Sequence, residues 1–446
     1  MREKSKKQLP LMYQTSDHPQ ARELEAISRI LDSEPTITKL VHQDLCRGRQ
    51  LTETGANGMS AEQVLRAAIL KRMFDYSYEL LPFHIADSIS LRAFCRIGIA
   101  DKGFKKSAIA KNTKRISPAT WEQINRILVV HGNQEKLEKG RQVRMDCTVM
   151  ESNIHHPTDS TLLYDGVRVL TRLLEALRQR GVKVHFTDHS RRAKRRVLAV
   201  QYAKKESQRK AAYRDLLKLA TKSVGYAVAA IPAAKNHAGI EGLALGTELE
   251  RYVELTRRVI DQTERRVLRG EKVPATEKIV SIFEPHTDII VKDRRETYYG
   301  HKVCLSVGAS NLITDCVITE GNPADTELTL TMLDRHREIY GRYPLKVALD
   351  GGFASKANLA AAKERKIKDV CFAKKRGLRV EEMCRSQWVY NRLRRFRAGV
   401  EAIISWIKRS LGFDRCTWKG RRSFESYVWL STVTANLITL ARAKAA

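Results

Sequence analysis

The sequence predicts an α/β protein, a mixed sheet with helices on both faces, interrupted by a long helical insertion and preceded by an all-helical N-terminal domain. Three observations predict it. Helical apolar periodicity fills residues 1–140, strand-like alternation starts at 143 and returns beyond 278, and a helical stretch from 161 to 275 separates the two strand regions. With 446 residues, 43% of them hydrophobic, the chain is long enough for two to four domains and too apolar for a disordered protein.

The elements follow in order. Ser60 is placed to cap a helix entered through Ala61, with Gln63 as the reciprocal partner of a capping box. Val64, Ala67, Ala68, Leu70 and Met73 form its stripe, and Leu80-Leu81-Pro82 marks its end. Ser117-Pro118 opens a second helix with Trp121, Ile124, Ile127 and Leu128 on one face. The basic joints between them (Lys102, Lys105, Lys106, Lys111, Lys114, Arg115) suit a helix-turn-helix DNA reader or a helical cap that only packs.

Val143 to Val149 alternates and reads as a strand with Asp146 in its middle. Further strands are expected at Lys278–Phe283, Tyr298–Val307, Leu312–Thr319, Leu345–Asp350 and Asp369–Ala373. Asn322-Pro323-Ala324-Asp325 reads as a turn capping a helix over Thr326–Arg337, and another helix covers Lys356–Glu364. A basic, amphipathic helical region ends the chain. With the insertion removed, this order is close to that of a ribonuclease-H-like fold. The expected division is 1–140 for DNA binding or assembly, 141–160 with 276–446 as the α/β core, and 161–275 as the insertion.

Charge narrows the function classes. Lys and Arg number 81 against 50 Asp and Glu, a formal +31, which points to a polyanionic partner. Residues 161–280 hold 26 basic against 13 acidic side chains, and residues 351–446 hold 22 against 7. The charged start, Met1 to Lys7, reads as no secretory signal. The best apolar run, Tyr427–Leu440, is too short and too often broken by Ser, Thr and Asn to span a membrane. Eight scattered cysteines without a C-x-x-C pair exclude a zinc ribbon and fit reduced thiols in the cytoplasm.

Three acids stand where such a fold would gather them. Asp146 is inside the first strand, Asp350 ends a later one before Gly351-Gly352, and Glu401 lies on a helix after the last strand. A carboxylate inside an apolar strand is costly unless paired or bound to metal, and hard oxygen donors suit Mg²⁺ or Mn²⁺. Taken singly, each acid also reads as an ordinary turn, strand or surface residue. Around Glu401, Arg397 and Lys408 fall at i−4 and i+7 on one stripe, extended upstream by Arg394, opposite an apolar stripe of Val400, Ile403, Ile404, Ile407 and Leu411. Cations beside a carboxylate suit either a DNA phosphate next to a metal or a surface ion-pair helix.

Arg397-x3-Glu401-x6-Lys408 resembles part of the Tyr-x2-Arg-x3-Glu-x6-Lys signature of bacterial insertion-sequence DDE transposases. Residues 146–160, Tyr299–Val303 with Gly321–Asp325, Leu349–Phe353 and Ser90–Arg96 are similar to other segments of that family, so the likeness runs from about 60 to 440. The ISNCY-type group is the one it resembles. The resemblance implies a ribonuclease-H-like core with Asp146, Asp350 and Glu401 as ligands of two Mg²⁺ ions, Mn²⁺ substituting. It implies nicking at insertion-sequence ends, transfer of the freed 3′-hydroxyl to target DNA, and Arg397, Lys408 and Arg394 as phosphate contacts. Its partners would be terminal inverted repeats, target DNA and a second copy of the chain, in the bacterial cytoplasm at the nucleoid. The signature's tyrosine position holds Arg394, and the nearest tyrosine is Tyr390.

Lesser candidates are His155 and His156, as loop residues or phosphate and metal neighbours; Asp159, as a turn acid; and Asp325, as a helix cap or a support of the site. Trp418-Lys419-Gly420-Arg421-Arg422 reads as a base-stacking or backbone-gripping patch, or as a packed tryptophan beside a basic turn. Two other functions fit the same features: a ribonuclease-H-like nuclease without strand transfer, and a catalytically inactive, basic DNA-binding relic.

Overall fold

The helix after Ser60 forms as its sequence dictates in the computed structural model of the chain, which describes residues 4, 17–48, 58–98, 101–236, 240–292 and 296–445. Ser60 Oγ accepts from the Gln63 N–H at 3.2 Å, and Gln63 Oε1 accepts from the Ser60 N–H at 3.0 Å. This helix is α3 (Ala61–Met73), preceded by α1 (Pro19–Ser33) and α2 (Pro35–Cys46). It stops at Met73, ahead of Leu80-Leu81-Pro82, which instead open α4 (Leu80–Asp87). Pro82 lies in the first turn of α4, where its missing N–H leaves no helical bond unmade. Nor is α3 one-sided, since Arg66, Lys71 and Arg72 are buried along with its apolar residues. Glu62 and Asp32 hold the Arg66 guanidinium at 3.0 and 2.6 Å, which makes that burial tolerable. Next come α5 (Ile89–Phe94), α6 (Lys106–Thr113) and α7 (Pro118–Gln134), the last capped by Ser117 as expected.

The chain divides into two units, Met1–Glu151 with His301–Ala446, and Ser152–Gly300. The expected first strand is β1 (Gln142–Glu151). The second unit is built from α8 (Asp159–Gln179), α9 (Ser190–Tyr202), α10 (Glu206–Lys235) and α11 (Ile240–Thr263), with a π turn over Glu264–Leu268. Val167, Leu170 and Leu174 pack with Leu216, Leu249 and Val259 in its core. Lys278–Phe283 is not the strand its apolar character suggested. The buried Gln262 amide accepts from the Ile279 N–H at 2.8 Å and donates to its carbonyl at 3.1 Å, so a side chain satisfies the backbone a neighbouring strand would have paired. A strand that sequence reading missed, β2 (Asp288–Lys292), pairs antiparallel with the first residues of β3 (Glu296–Gly308).

In the first unit, β4 (Ile313–Ile318), β5 (Lys346–Leu349) and β6 (Asp369–Phe372) complete a sheet ordered β4-β3-β1-β5-β6. The β3/β4 pair is antiparallel, whereas β1/β5 and β5/β6 are parallel. Parallel neighbours need crossovers. Helix α12 (Asp325–Tyr340) precedes β5, and α13 (Lys356–Glu364) joins β5 to β6. The chain then forms α14 (Val380–Met383), α15 (Gln387–Ser410) and α16 (Arg421–Ala445).

Two apolar clusters hold this unit together. Val143, Met145, Val347 and Leu349 pack with Met332, Leu333 and Leu393. The other cluster joins the N-terminal helices to Val303, Leu305 and Val307 of β3, Val400 and Ile407 of α15, and most of α16. Helix α16 therefore departs from the amphipathic reading and is buried nearly all round. Its Ser431, Thr432 and Thr434 hydroxyls donate to carbonyls four residues back, and Asn436 pairs with Asn125 and both backbone groups of Ile313. Among the described residues no helix is long and apolar enough to cross a membrane. All eight cysteines are free thiols.

Candidate active site

Strand register brings the first two acids together. Met145 of β1 pairs with Leu349 of β5 in parallel, so Asp146 and Asp350 each follow the last paired residue of adjacent strands. Asp146 Oδ1 accepts from the Cys147 N–H at 2.8 Å, which leaves Oδ2 directed elsewhere. Asp350 begins the short 3-10 turn Gly351–Phe353.

Glu401 arrives on α15, whose seating depends on two residues that sequence reading passed over. Arg144, a buried cation in β1, donates to the Phe396 carbonyl at 2.9 Å and to Asn311 Oδ1, and its guanidinium lies 4.6 Å from the Phe396 ring centre. Gly399 gives it room, since a Cβ there would stand 2.2 Å from Arg144 Nη1. Helix and strand thus approach each other two residues before Glu401 and two before Asp146. An arginine inside an apolar strand and a glycine inside a helix were the available signals.

Arg397, one turn before Glu401, reaches all three acids. Its Nη2 lies 2.9 Å from Asp146 Oδ2 and 3.0 Å from Asp350 Oδ1, and its Nη1 lies 2.6 Å from Glu401 Oε1. Exposure rises from Arg397 at 14% and Asp146 at 16%, through Asp350 at 35%, to Glu401 at 61%. Burial works against the Arg397 charge, yet Asp146, Asp350 and Glu401 outweigh it and raise its pKa above the ordinary value. The three acids thus surround a cation.

Close packing fixes the turn after Asp350. A Cβ on Gly351 would meet the Lys374 side chain at 2.7 Å, and one on Gly352 would meet Asp325 Oδ2 at 2.5 Å. Asp325 opens α12 one residue after its N-cap, Ala324, and its Oδ1 holds Lys302 Nζ at 3.0 Å. Asp325 therefore buttresses the Asp350 turn. Cys147 is unsuited to nucleophilic work, because a hydrogen bond with Cys304 and burial hold its thiol pKa well above the ordinary value.

The remaining candidates separate. Lys408 lies 3.5 Å from Asp414, and Arg394 is exposed beside the Tyr390 hydroxyl. Tyr390 is buried and donates to the Phe372 carbonyl at 3.1 Å, so its ring does not face solvent. Trp418 is the packed tryptophan of the two alternatives, buried edge-on against Tyr427. In the second unit, His155 Nε2 lies 3.4 Å from Asp165 Oδ2 and His156 meets the Tyr299 ring edge-on. Asp159 is more than a turn acid: it is buried, 2.8 Å from Arg266.

Carboxylate oxygens around a cation have the donor chemistry of a hard divalent ion site. With Arg397 in their midst, no three Asp, Glu, His or Cys side chains among the described residues are arranged to hold an ion.

Acids gathered at strand ends under a basic helix have the composition of a site that acts on phosphate esters. Residues 256–437 match the family model of the Transposase DDE domain, and residues 13–115 match that of the Transposase domain (DUF772). The two matches support a DDE transposase of the insertion-sequence kind, a family that binds DNA and typically uses divalent metal ions. No curated protein and no solved structure matches the chain.

Proposed function

We propose that the chain nicks DNA at insertion-sequence ends and joins the freed 3′-hydroxyl to target DNA, with Asp146, Asp350 and Glu401 as the acids of the site. The observation that carries this reading is the convergence of all three on the Arg397 guanidinium. The strand order β4-β3-β1-β5-β6, with parallel β1, β5 and β6, supports a ribonuclease-H-like core. The ISNCY-type assignment rests on the sequence resemblance, the signature together with the similar segments between about 60 and 440.

Asp146 and Asp350 on adjacent strands, and Glu401 on α15, would hold two Mg²⁺ ions, or Mn²⁺ in their place. Such ions, when bound, activate the attacking oxygen and stabilise the leaving one. The chain's own groups do the rest. Arg144 and Gly399 seat α15 so that Glu401 faces the strand ends, and Asp325 with Lys302 braces the Asp350 turn. Arg394 and Lys408 would take the backbone phosphates of the strand end, joined by Arg397 once it leaves the acids. A dimer or larger assembly would bring two element ends together.

Asp146→Asn, Asp350→Asn and Glu401→Gln should each abolish cleavage of terminal-repeat DNA while binding persists in a gel-shift assay. Full cleavage by any one of them would remove that residue from the site. Pre-nicked ends incubated with plasmid should give joined products; cleavage without joining would leave a nuclease.

A further inference from the structure

We infer that the N-terminal half of α15 carries a docking platform for single-stranded DNA, made by Trp388 and Arg392 with Arg395 on the same stripe. This rests on the proposed function for its choice of partner, and on separate residues for its geometry.

Trp388 is 66% exposed, the most solvent-facing large apolar side chain on this helix. Of the other tryptophans, Trp121, Trp418 and Trp429 are buried and Trp406 is half-buried. A single exposed apolar side chain is common on a protein surface, so what distinguishes Trp388 is the cation set against its ring. The Arg392 guanidinium stands 5.4 Å from the Trp388 ring centre, on the next turn of the same face.

Charge complementarity identifies the occupant. Residues 385–400 contain five arginines and no Asp or Glu. Arg385 is tied to Asp369 and Arg397 to the three acids, whereas Arg392 and Arg395 face solvent. The loop after β6 adds two exposed lysines beside the site. Lys374 packs against Gly351 beside Asp350, and Lys375 lies 5.3 Å from the Tyr390 ring centre at the start of α15. Trp388, Arg392 and Arg395 stand at i, i+4 and i+7 on one solvent-facing stripe of α15. Trp388 precedes Glu401 by 13 positions, about 20 Å along the helix.

A polyanion would bind along that stripe, and an aromatic face amid cations selects one with free base faces. Paired bases are already stacked on their neighbours, so Trp388 gains a stacking partner only from an unpaired nucleotide, whose phosphate Arg392 would hold. Single-stranded DNA freed by nicking supplies both.

Tryptophan fluorescence of the full chain, titrated without divalent metal with an oligothymidylate and with a hairpin duplex of equal phosphate number, tests this. The oligothymidylate should quench the exposed emission and the duplex should not. Trp388→Phe should lose the quenching but keep the affinity measured by anisotropy of labelled oligothymidylate. Trp388→Ala and Arg392→Ala should each weaken that affinity about tenfold. Unchanged affinity in Trp388→Ala, or equal quenching by duplex, overturns the platform. So does emission that shifts with protein concentration alone, which would make a second copy the occupant. Cleavage is not the readout, so the platform can fail while the acids stand, or hold while Asp146→Asn cleaves normally.

Discussion

Arg397 Nη2 and Asp146 Oδ2 lie 2.9 Å apart although 251 positions separate the two residues in the chain. The same nitrogen is 3.0 Å from Asp350, so one guanidinium neutralises acids from two strands while its other arm takes Glu401. Three carboxylates facing one another without a cation would repel, and repulsion is strong where solvent is partly excluded. Arg397 therefore serves the fold of the site in the absence of metal, and its charge competes with any ion that enters.

Removing that charge should favour the ion. Arg397→Ala is expected to bind Mn²⁺ about tenfold more tightly than the parent in calorimetry without DNA. Its melting temperature should fall in chelator and recover when Mn²⁺ is added. Weaker Mn²⁺ binding would mean that Arg397 holds the acids in reach of an ion and does not exclude it.

Gly399→Ala places a methyl group 2.2 Å from Arg144 Nη1. Helix propensity favours the change by about 1 kcal/mol, whereas overpacking costs about 1–3 kcal/mol. The expected outcome is a modest loss of stability with a larger loss of cleavage, as Arg144 releases the Phe396 carbonyl and α15 shifts. A variant as stable and active as its parent would show that Arg144 adjusts freely.

Stability should depend on pH through His336. Burial lowers its imidazole pKa from 6.5 to about 4, and the neutral ring donates to the Gly140 carbonyl at 3.0 Å while stacking on Tyr340. Because the folded form binds the proton more weakly, its stabilisation is complete above pH 6.5 and is lost as pH falls towards 4, by up to about 3 kcal/mol. Urea unfolding of His336→Gln should show a shallower acid decline than the parent across that window; parallel curves would remove His336 as the cause.

DNA binding should be steeply salt-dependent. If 6–10 phosphates are contacted, affinity falls about 10³- to 10⁵-fold between 50 and 200 mM salt. A shallow dependence in gel shift would mean that most of the +31 charge lies away from DNA.

The local grammar of the chain was legible. The Ser60 capping box, the Ser117-Pro118 helix start, β1 around Asp146, and the helix over Lys356–Glu364 are fixed by residues within a few positions of each other. Where distant partners decide, sequence reading went astray. The Lys278–Phe283 segment has strand composition, but Gln262 satisfies its backbone, and α16 has a broken apolar pattern because Asn125 and Ile313 pair with its polar Asn436.

The candidate site divides the same way. Sequence alone determined which acids to consider and that α15 would be basic on one side and apolar on the other, since both are properties of composition and period. It placed Arg397 on the outward stripe with Glu401 and Lys408. Only the tertiary structure decided that this arginine turns inward, because parallel β1/β5 register and the Arg144–Gly399 approach set Asp146 and Asp350 within its reach. Period says which face a side chain leaves from; the charges that meet it come from strands 47 and 251 positions away.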